Sequence, residues 1–114
     1  MKIVDTFQAT IYVGFKEHYD GLEHTLDEAE KICQDFCDKV GLCVTITPTR
    51  YIYTEGNENG CIVGLINYPR FPSSNGKIFN KAISLAEILM KEFNQYKVTI
   101  VSSSKTIMLE AEED

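Results

Sequence analysis

Leu42–Tyr68 reads LCVTITPTRYIYTEGNENGCIVGLINY. It is two β patterns back to back with no room for a helix between them. In Leu42–Thr54 the residues Val44 and Ile46 stand between Thr45 and Thr47, a period of two. Pro48 interrupts that run and gives an edge strand or a bulge, because proline cannot donate to a ladder. Glu55–Gly60 (EGNENG) consists of residues that tolerate positive φ and reads as the turn. Cys61–Tyr68 returns as a strand so apolar that it is expected to be central and buried on both faces. A hairpin placed here makes the rest of the chain fall into two flanking halves.

Upstream, Phe7, Ala9, Ile11, Val13 and Phe15 alternate with Gln8, Thr10 and Tyr12, a half-buried strand. The polar segment Lys16–His24 follows as a loop, with Asp20-Gly21 as its turn. Thr25-Leu-Asp-Glu28 fits a capping box, and Leu26, Ala29, Ile32, Cys33, Phe36, Cys37 and Val40 repeat at helical spacing up to a Gly41 stop. Downstream of the hairpin comes the stiff connection Pro69–Asn75, in which Ser73, Ser74 or Asn75 can cap a second helix. Its stripe is Ile78, Ala82, Leu85, Ala86, Leu89, Met90 and Phe93. Lys97–Ser102 and Thr106–Leu109 are two further strands. The order β-α-β-β-α-β predicts an α+β, ferredoxin-like (split βαβ) sandwich. Two helices lie on one face of an antiparallel sheet, with a C-terminal β-hairpin extension. The other face, carrying Thr10, Tyr12, Thr45, Thr47, Tyr51 and Tyr53 in part, is left for solvent or for a second copy, which predicts a homo-oligomer.

The chain has 114 residues, the size of one domain, and its 44 % hydrophobic content supports a core without staples. Residues 110–114 (EAEED) are expected to be a solvated acidic tail. No apolar stretch is long enough to span a membrane and MKIVDTFQAT has no signal-peptide pattern, so a cytoplasmic protein is expected. In that setting Cys33, Cys37, Cys43 and Cys61 are reduced thiols. Cys33 and Cys37 share an apolar helix stripe, where core packing outweighs metal binding, so no metal and no cofactor are expected. With 17 acidic against 11 basic residues the net charge is −6. General nucleic-acid binding, which rests on neutralising phosphates, is thereby disfavoured.

Two loops hold the chemistry. Taking the first and third strands as parallel neighbours, Lys16–His24 and Tyr68–Asn75 emerge at one end of the sheet, beside both helix N-termini. There Arg70, fixed between Pro69 and Pro72, suits a forked contact to phosphate or carboxylate. Tyr68 or Phe71 can stack on a ring, Asn67 and Tyr68 either line the pocket or close the core, and the amides around Ser73, Ser74 and Gly76 face an anion. His18 and His24 with Glu17 form an alternative acid–base set.

Thr10-Ile-Tyr-Val-Gly14, Gly41-Leu-Cys-Val-Thr-Ile-Thr-Pro-Thr49 and Gly64-Leu-Ile-Asn-Tyr-Pro-Arg-Phe-Pro72 resemble small uncharacterised proteins encoded by tailed bacteriophages. The resemblance spans most of the domain. It implies an accessory protein made during infection and carries over no catalytic residue. The glycine-rich phosphate loop of acylphosphatases is missing after the first strand, which argues against that activity.

Three functions are open at this level. The first is a non-catalytic module binding a small anionic ligand such as a nucleotide or signalling nucleotide, sequestering a host immune signal. The second is a protein-interaction inhibitor of a host enzyme. The third is a small hydrolase or lyase using His18 or His24 with Glu17.

Overall fold

The computed structural model describes residues 1–18 and 21–112. The chain runs β1 (Gln8–Gly14), α1 (Leu26–Val40), β2 (Thr45–Tyr53), β3 (Gly56–Ile66), α2 (Asn75–Glu92), β4 (Lys97–Ser102) and β5 (Thr106–Glu110). The strands form one sheet in the order β2-β3-β1-β4-β5, and every neighbouring pair is antiparallel. The fold is therefore α+β. Its first four strands fit a ferredoxin-like arrangement, and β5 adds an edge through the β4–β5 hairpin. β5 reaches Glu110, the first residue of the expected acidic tail, which pairs with Lys97. The Asp20-Gly21 turn and the end of that tail involve residues outside those described.

Local chemistry explains the helix ends. Thr25 accepts from the Glu28 amide at 3.2 Å, and Ser74 accepts from that of Lys77 at 3.2 Å. Gly41 stops α1 at φ +70°. The capping box at Thr25 forms only by half, because the Glu28 carboxylate turns to the ring of His24 instead. Asn94, at φ +51°, turns the chain away after α2.

α2 packs on β1 and β4, and α1 on α2 and β3. Between helices and sheet lie Ile11, Val13, Val63, Leu65, Leu85, Leu89, Phe93 and Ile100. Cys33 and Cys61 are buried among them, and burial pushes their thiols up to about 12 and about 11.

Three expectations are corrected. β1 and β3 are antiparallel, not parallel. A crossover through α1 makes β2 run with β1, and the tight β2–β3 hairpin then reverses β3. The loops after β1 and β3 consequently leave at opposite ends of the sheet. Secondly, EGNENG is not all turn: only Thr54 and Glu55 reverse the chain, and Gly56–Gly60 is strand paired with Thr49–Tyr53. Thirdly, β3 is central but buried on one face only. Ile62 and Gly64 are half-buried and Ile66 is exposed on the face away from the helices. Pro48 does sit in an edge strand, since β2 pairs only with β3. The helix-free face also carries exposed Tyr12, Tyr53, Val101 and Met108. Among the described residues no helix is long and apolar enough to cross a membrane.

Candidate active site

The β1 exit, the β2–β3 hairpin, the N-terminus of α1 and the C-terminus of α2 all meet at one end of the sheet. Period-two geometry puts Gly14, Gly60, Tyr51 and Glu58 on the open face there, because cross-strand partners share a face. Gly14 is opposite Gly60, and Tyr51 is opposite Glu58. The paired glycines leave a floor without side chains, and the two larger residues fold down onto it. A Cβ on Gly14 would lie 2.6 Å from Glu58 Oε2, and one on Gly60 would lie 2.4 Å from the Tyr51 ring. Glycine is needed at both positions for close approach rather than for φ.

Glu58 is half-buried, and its Oε2 accepts from the Lys16 backbone N–H at 3.3 Å. The Tyr51 hydroxyl donates to the Cys61 carbonyl at 3.0 Å. Burial, with the neighbouring Cys61 and Glu58 also acting against a phenolate, pushes the Tyr51 pKa well above the usual phenol range. Tyr51 is thus a ring wall with a committed hydroxyl, and Glu58 is the chemically available carboxylate.

The helix side of the same end holds a polar cluster. His24 Nε2 lies 2.6 Å from Glu17 Oε2, and Nδ1 lies 2.5 Å from Glu28 Oε2. Its ring stacks on Phe93 with centroids 4.6 Å apart. Asn94 donates to Glu17 at 3.2 Å and contacts His18 Nε2 at 3.4 Å, while His18 packs on Tyr96. Arg50 donates to Asn57 and Asn59, and Asn59 donates to Glu23 at 2.9 Å. An open cleft of about 380 Å³ lies between them, lined by Phe15, Glu23, His24, Thr25, Pro48 and Asn59. Among the described residues no group of three or more His, Cys, Asp or Glu is placed to hold a metal ion.

The other predicted site residues lie at the far end of the sheet. Asn67 ties the chain together, donating to the Asp5 carbonyl at 2.8 Å and accepting from the Ser73 amide at 2.9 Å. The ring of Tyr68 packs at 5.4 Å against that of Phe71, which is itself exposed. Arg70 is exposed, and Ser74 is occupied as the α2 cap. Arg70, Tyr68, Phe71, Asn67, Ser73 and Ser74 are therefore together, but apart from Glu17, His18 and His24. The sequence alone does not mark Tyr51 as a site residue, nor Glu58, Asn59, Glu28 and Asn94. No apolar–polar alternation runs through Gly56–Gly60, so only the pairing opposite Tyr51 marks Glu58 as a strand residue.

No family model and no curated protein match the chain. Solved structures do, among them two phage enzymes. A phage SAM lyase in complex with S-methyl-5′-thioadenosine aligns with a TM-score of 0.80 at 20 % identity, covering 93 % of this chain and 90 % of that one. A phage SAM lyase in the apo state aligns with a TM-score of 0.77 at 20 % identity, covering 95 % and 91 %. At this identity the likeness establishes a shared fold. It also corrects the leading functional expectation. The non-catalytic binding module gives way, because the neighbours with this fold are enzymes, and the lyase alternative is the one they favour.

Proposed function

We propose that this chain is a phage-encoded SAM lyase that works in the cytoplasm of the infected host, releasing S-methyl-5′-thioadenosine from S-adenosylmethionine. The observation that carries this reading is the match to a phage SAM lyase over nearly the whole length of both chains. The composition fits as well. S-adenosylmethionine has a sulfonium, an ammonium and a carboxylate, so it is a net cation, and this chain carries a charge of −6. The small ligand expected from the sequence is kept, with its sign reversed.

Forming the thioether product breaks the bond between sulfur and Cγ of the amino-acid arm. The bonding pair stays on sulfur, and the positive charge disappears. Without water, the four-carbon remainder either closes onto its own carboxylate oxygen or gives up a Cβ proton to a base. Ring closure cancels a carboxylate charge against a sulfonium charge and moves no proton. Such a step gains from a water-poor pocket and from a fixed approach geometry. A protein carboxylate set against the sulfonium would favour substrate over transition state. Glu58 is accordingly assigned to the substrate ammonium, a charge that survives the reaction. Tyr51 and Tyr12 supply ring faces over the Gly14–Gly60 floor. The open sheet face, with Tyr53, Ile66, Val101 and Met108 exposed, is read as the surface where a second copy closes this shallow site.

The test is direct. Purified protein incubated with S-adenosylmethionine is assayed for the thioether by liquid chromatography and mass spectrometry. Glu58→Gln is expected to lower its release at low substrate up to about 100-fold, the scale of losing a hydrogen bond to a charged group, with an unchanged melting temperature. A folded wild-type protein that neither releases nor binds the thioether refutes the assignment. Deuterium incorporation from heavy water separates the two exits of the remainder.

A further inference from the structure

We propose that His24 is a positioning residue: clasped between Glu17 and Glu28, it anchors the segment whose Lys16 amide holds Glu58, and so makes the seat of that carboxylate depend on pH. This rests on the reading that Glu58 belongs to the active site, but the coupling itself is a property of the protein without substrate.

The argument starts from hydrogen-bond capacity. Both ring nitrogens of His24 face a carboxylate oxygen, at 2.5 and 2.6 Å. An ionised carboxylate only accepts, and a neutral imidazole has one N–H and one lone pair. Two such contacts are satisfied together only when the ring carries both protons. A neutral ring would set a lone pair against carboxylate oxygen on one side, and that contact would open. The imidazolium also lies flat on Phe93, at an interplanar angle of 15°, as a cation on a ring face.

The surrounding charge is mainly acidic and acts in the same direction, with Lys31 as an opposing cation. Glu17 and His18 face the ring's neighbourhood from the loop and Glu23 from the adjacent backbone. Asp27, Glu28 and Lys31 come from the first turns of α1, and Glu92 from the end of α2. Burial alone would depress the His24 pKa, but bonding and charge from Glu28 and Glu17 outweigh it and leave the value raised. The folded state therefore prefers the protonated ring. The clasp is complete below the ordinary histidine range and is lost as pH rises through the raised value.

The mechanical link is short. The His24 amide donates to the Phe15 carbonyl at 2.7 Å, the Phe15 amide to the Asn59 carbonyl at 2.9 Å, and Gln95 to the Lys16 carbonyl at 2.8 Å. Glu17, one end of the clasp, is bonded directly to Lys16 in the chain. The Lys16 amide to Glu58 contact, at 3.3 Å, is the longest of this set and the first to weaken when the segment shifts.

The experiment is a ¹⁵N–¹H NMR titration of the ligand-free protein from about pH 5 to about pH 9, bracketing the histidine range. The Lys16 amide shift is expected to follow the His24 ring, with a shared midpoint above the ordinary ~6.5. In Glu58→Gln the ring still titrates and the Lys16 response shrinks at least twofold. In Glu28→Gln the shared midpoint falls, and His24→Gln abolishes the response. A Lys16 amide that stays flat while His24 titrates overturns the proposal, as does a midpoint at or below the ordinary value. Should His24→Gln fail to fold, Glu28→Gln decides alone, because it leaves the ring and its second carboxylate in place. None of these readouts needs turnover, so failure of the lyase assignment leaves them interpretable. Where turnover is measured, the alkaline fall of kcat/KM is expected at the same midpoint and to move with it in Glu28→Gln.

Discussion

Gly14→Ala tests the site with the least disturbance to the fold. Gly14 does not have a positive φ, so alanine fits its backbone, and the atoms its Cβ meets belong to the Glu58 side chain rather than to backbone. The new Cβ would lie 2.6 Å from Glu58 Oε2 and 2.9 Å from its Cδ. To regain an ordinary contact of about 3.4 Å, the carboxylate must retreat by about 0.8 Å. The obstacle is the far end of a flexible side chain, so the cost in stability is small, on the order of 1 kcal/mol or less. Displacing a substrate-holding group by nearly an ångström costs much more in rate, about 100-fold in kcat/KM. Thioether release from S-adenosylmethionine measures the rate, and thermal unfolding measures the fold. A Gly14→Ala protein with wild-type kcat/KM would refute the placement of Glu58 in the site. One that has lost both activity and its melting transition would refute the claim that this floor tolerates a methyl group.

Three other outcomes separate the ends of the molecule and the classes of thiol. Arg70→Ala is expected to leave thioether release within twofold of wild type. Asn67→Ala should lower unfolding stability by about 1–3 kcal/mol, as expected for losing the buried bonds to Asp5 and Ser73, again without a matching loss of rate. If Arg70→Ala instead abolished release, the site would move to the far end of the sheet. Timed alkylation of the native protein near pH 8, followed by peptide mass spectrometry, should label exposed Cys43 first and leave buried Cys33 and Cys61 unmodified until denaturant is added. Rapid native labelling of Cys33 would contradict its place on the buried face of α1.

Much of the architecture is legible because each element announces itself locally. Thr25 and Ser74 cap, Gly41 stops, and alternation marks Phe7–Phe15, so the element order follows without long-range information. Strand direction does not. Whether β1 and β3 run parallel depends on counting reversals through the crossover and the hairpin, and a slip there moves the Arg70 loop to the wrong end. The hairpin is a second instance. Gly, Asn and Glu in 55–60 have turn propensity, but five of these residues are held extended by pairing with Thr49–Tyr53, a tertiary term that propensity omits. That slip hid Glu58 inside an apparent loop. His24 shows the opposite case. It was visible as a titratable residue, but its two carboxylate partners, at i−7 and i+4, meet only once the loop folds back on the α1 cap.

Charge ties these threads together. The excess of acid over base that disfavours nucleic acid equally disfavours a phosphate-bearing ligand, so an anion site around Arg70 requires one exposed cation to act against the field of the whole chain. The hairpin end has no such conflict. Glu17, Glu23, Glu28 and Glu58 converge there, and His24 offsets only part of their charge. A cationic substrate is drawn to that end, and its neutral thioether product is not held by the same field. The group that sets the local field is also the one that titrates. As pH rises, loss of the His24 proton makes this end more negative while loosening the segment that seats Glu58. Attraction of the cation and placement of the carboxylate therefore respond to pH in opposite senses. Measured separately, the loosened contact to an ammonium that is the same in ground and transition state should raise KM on the alkaline side while kcat holds. A simple loss of folding would not produce that split.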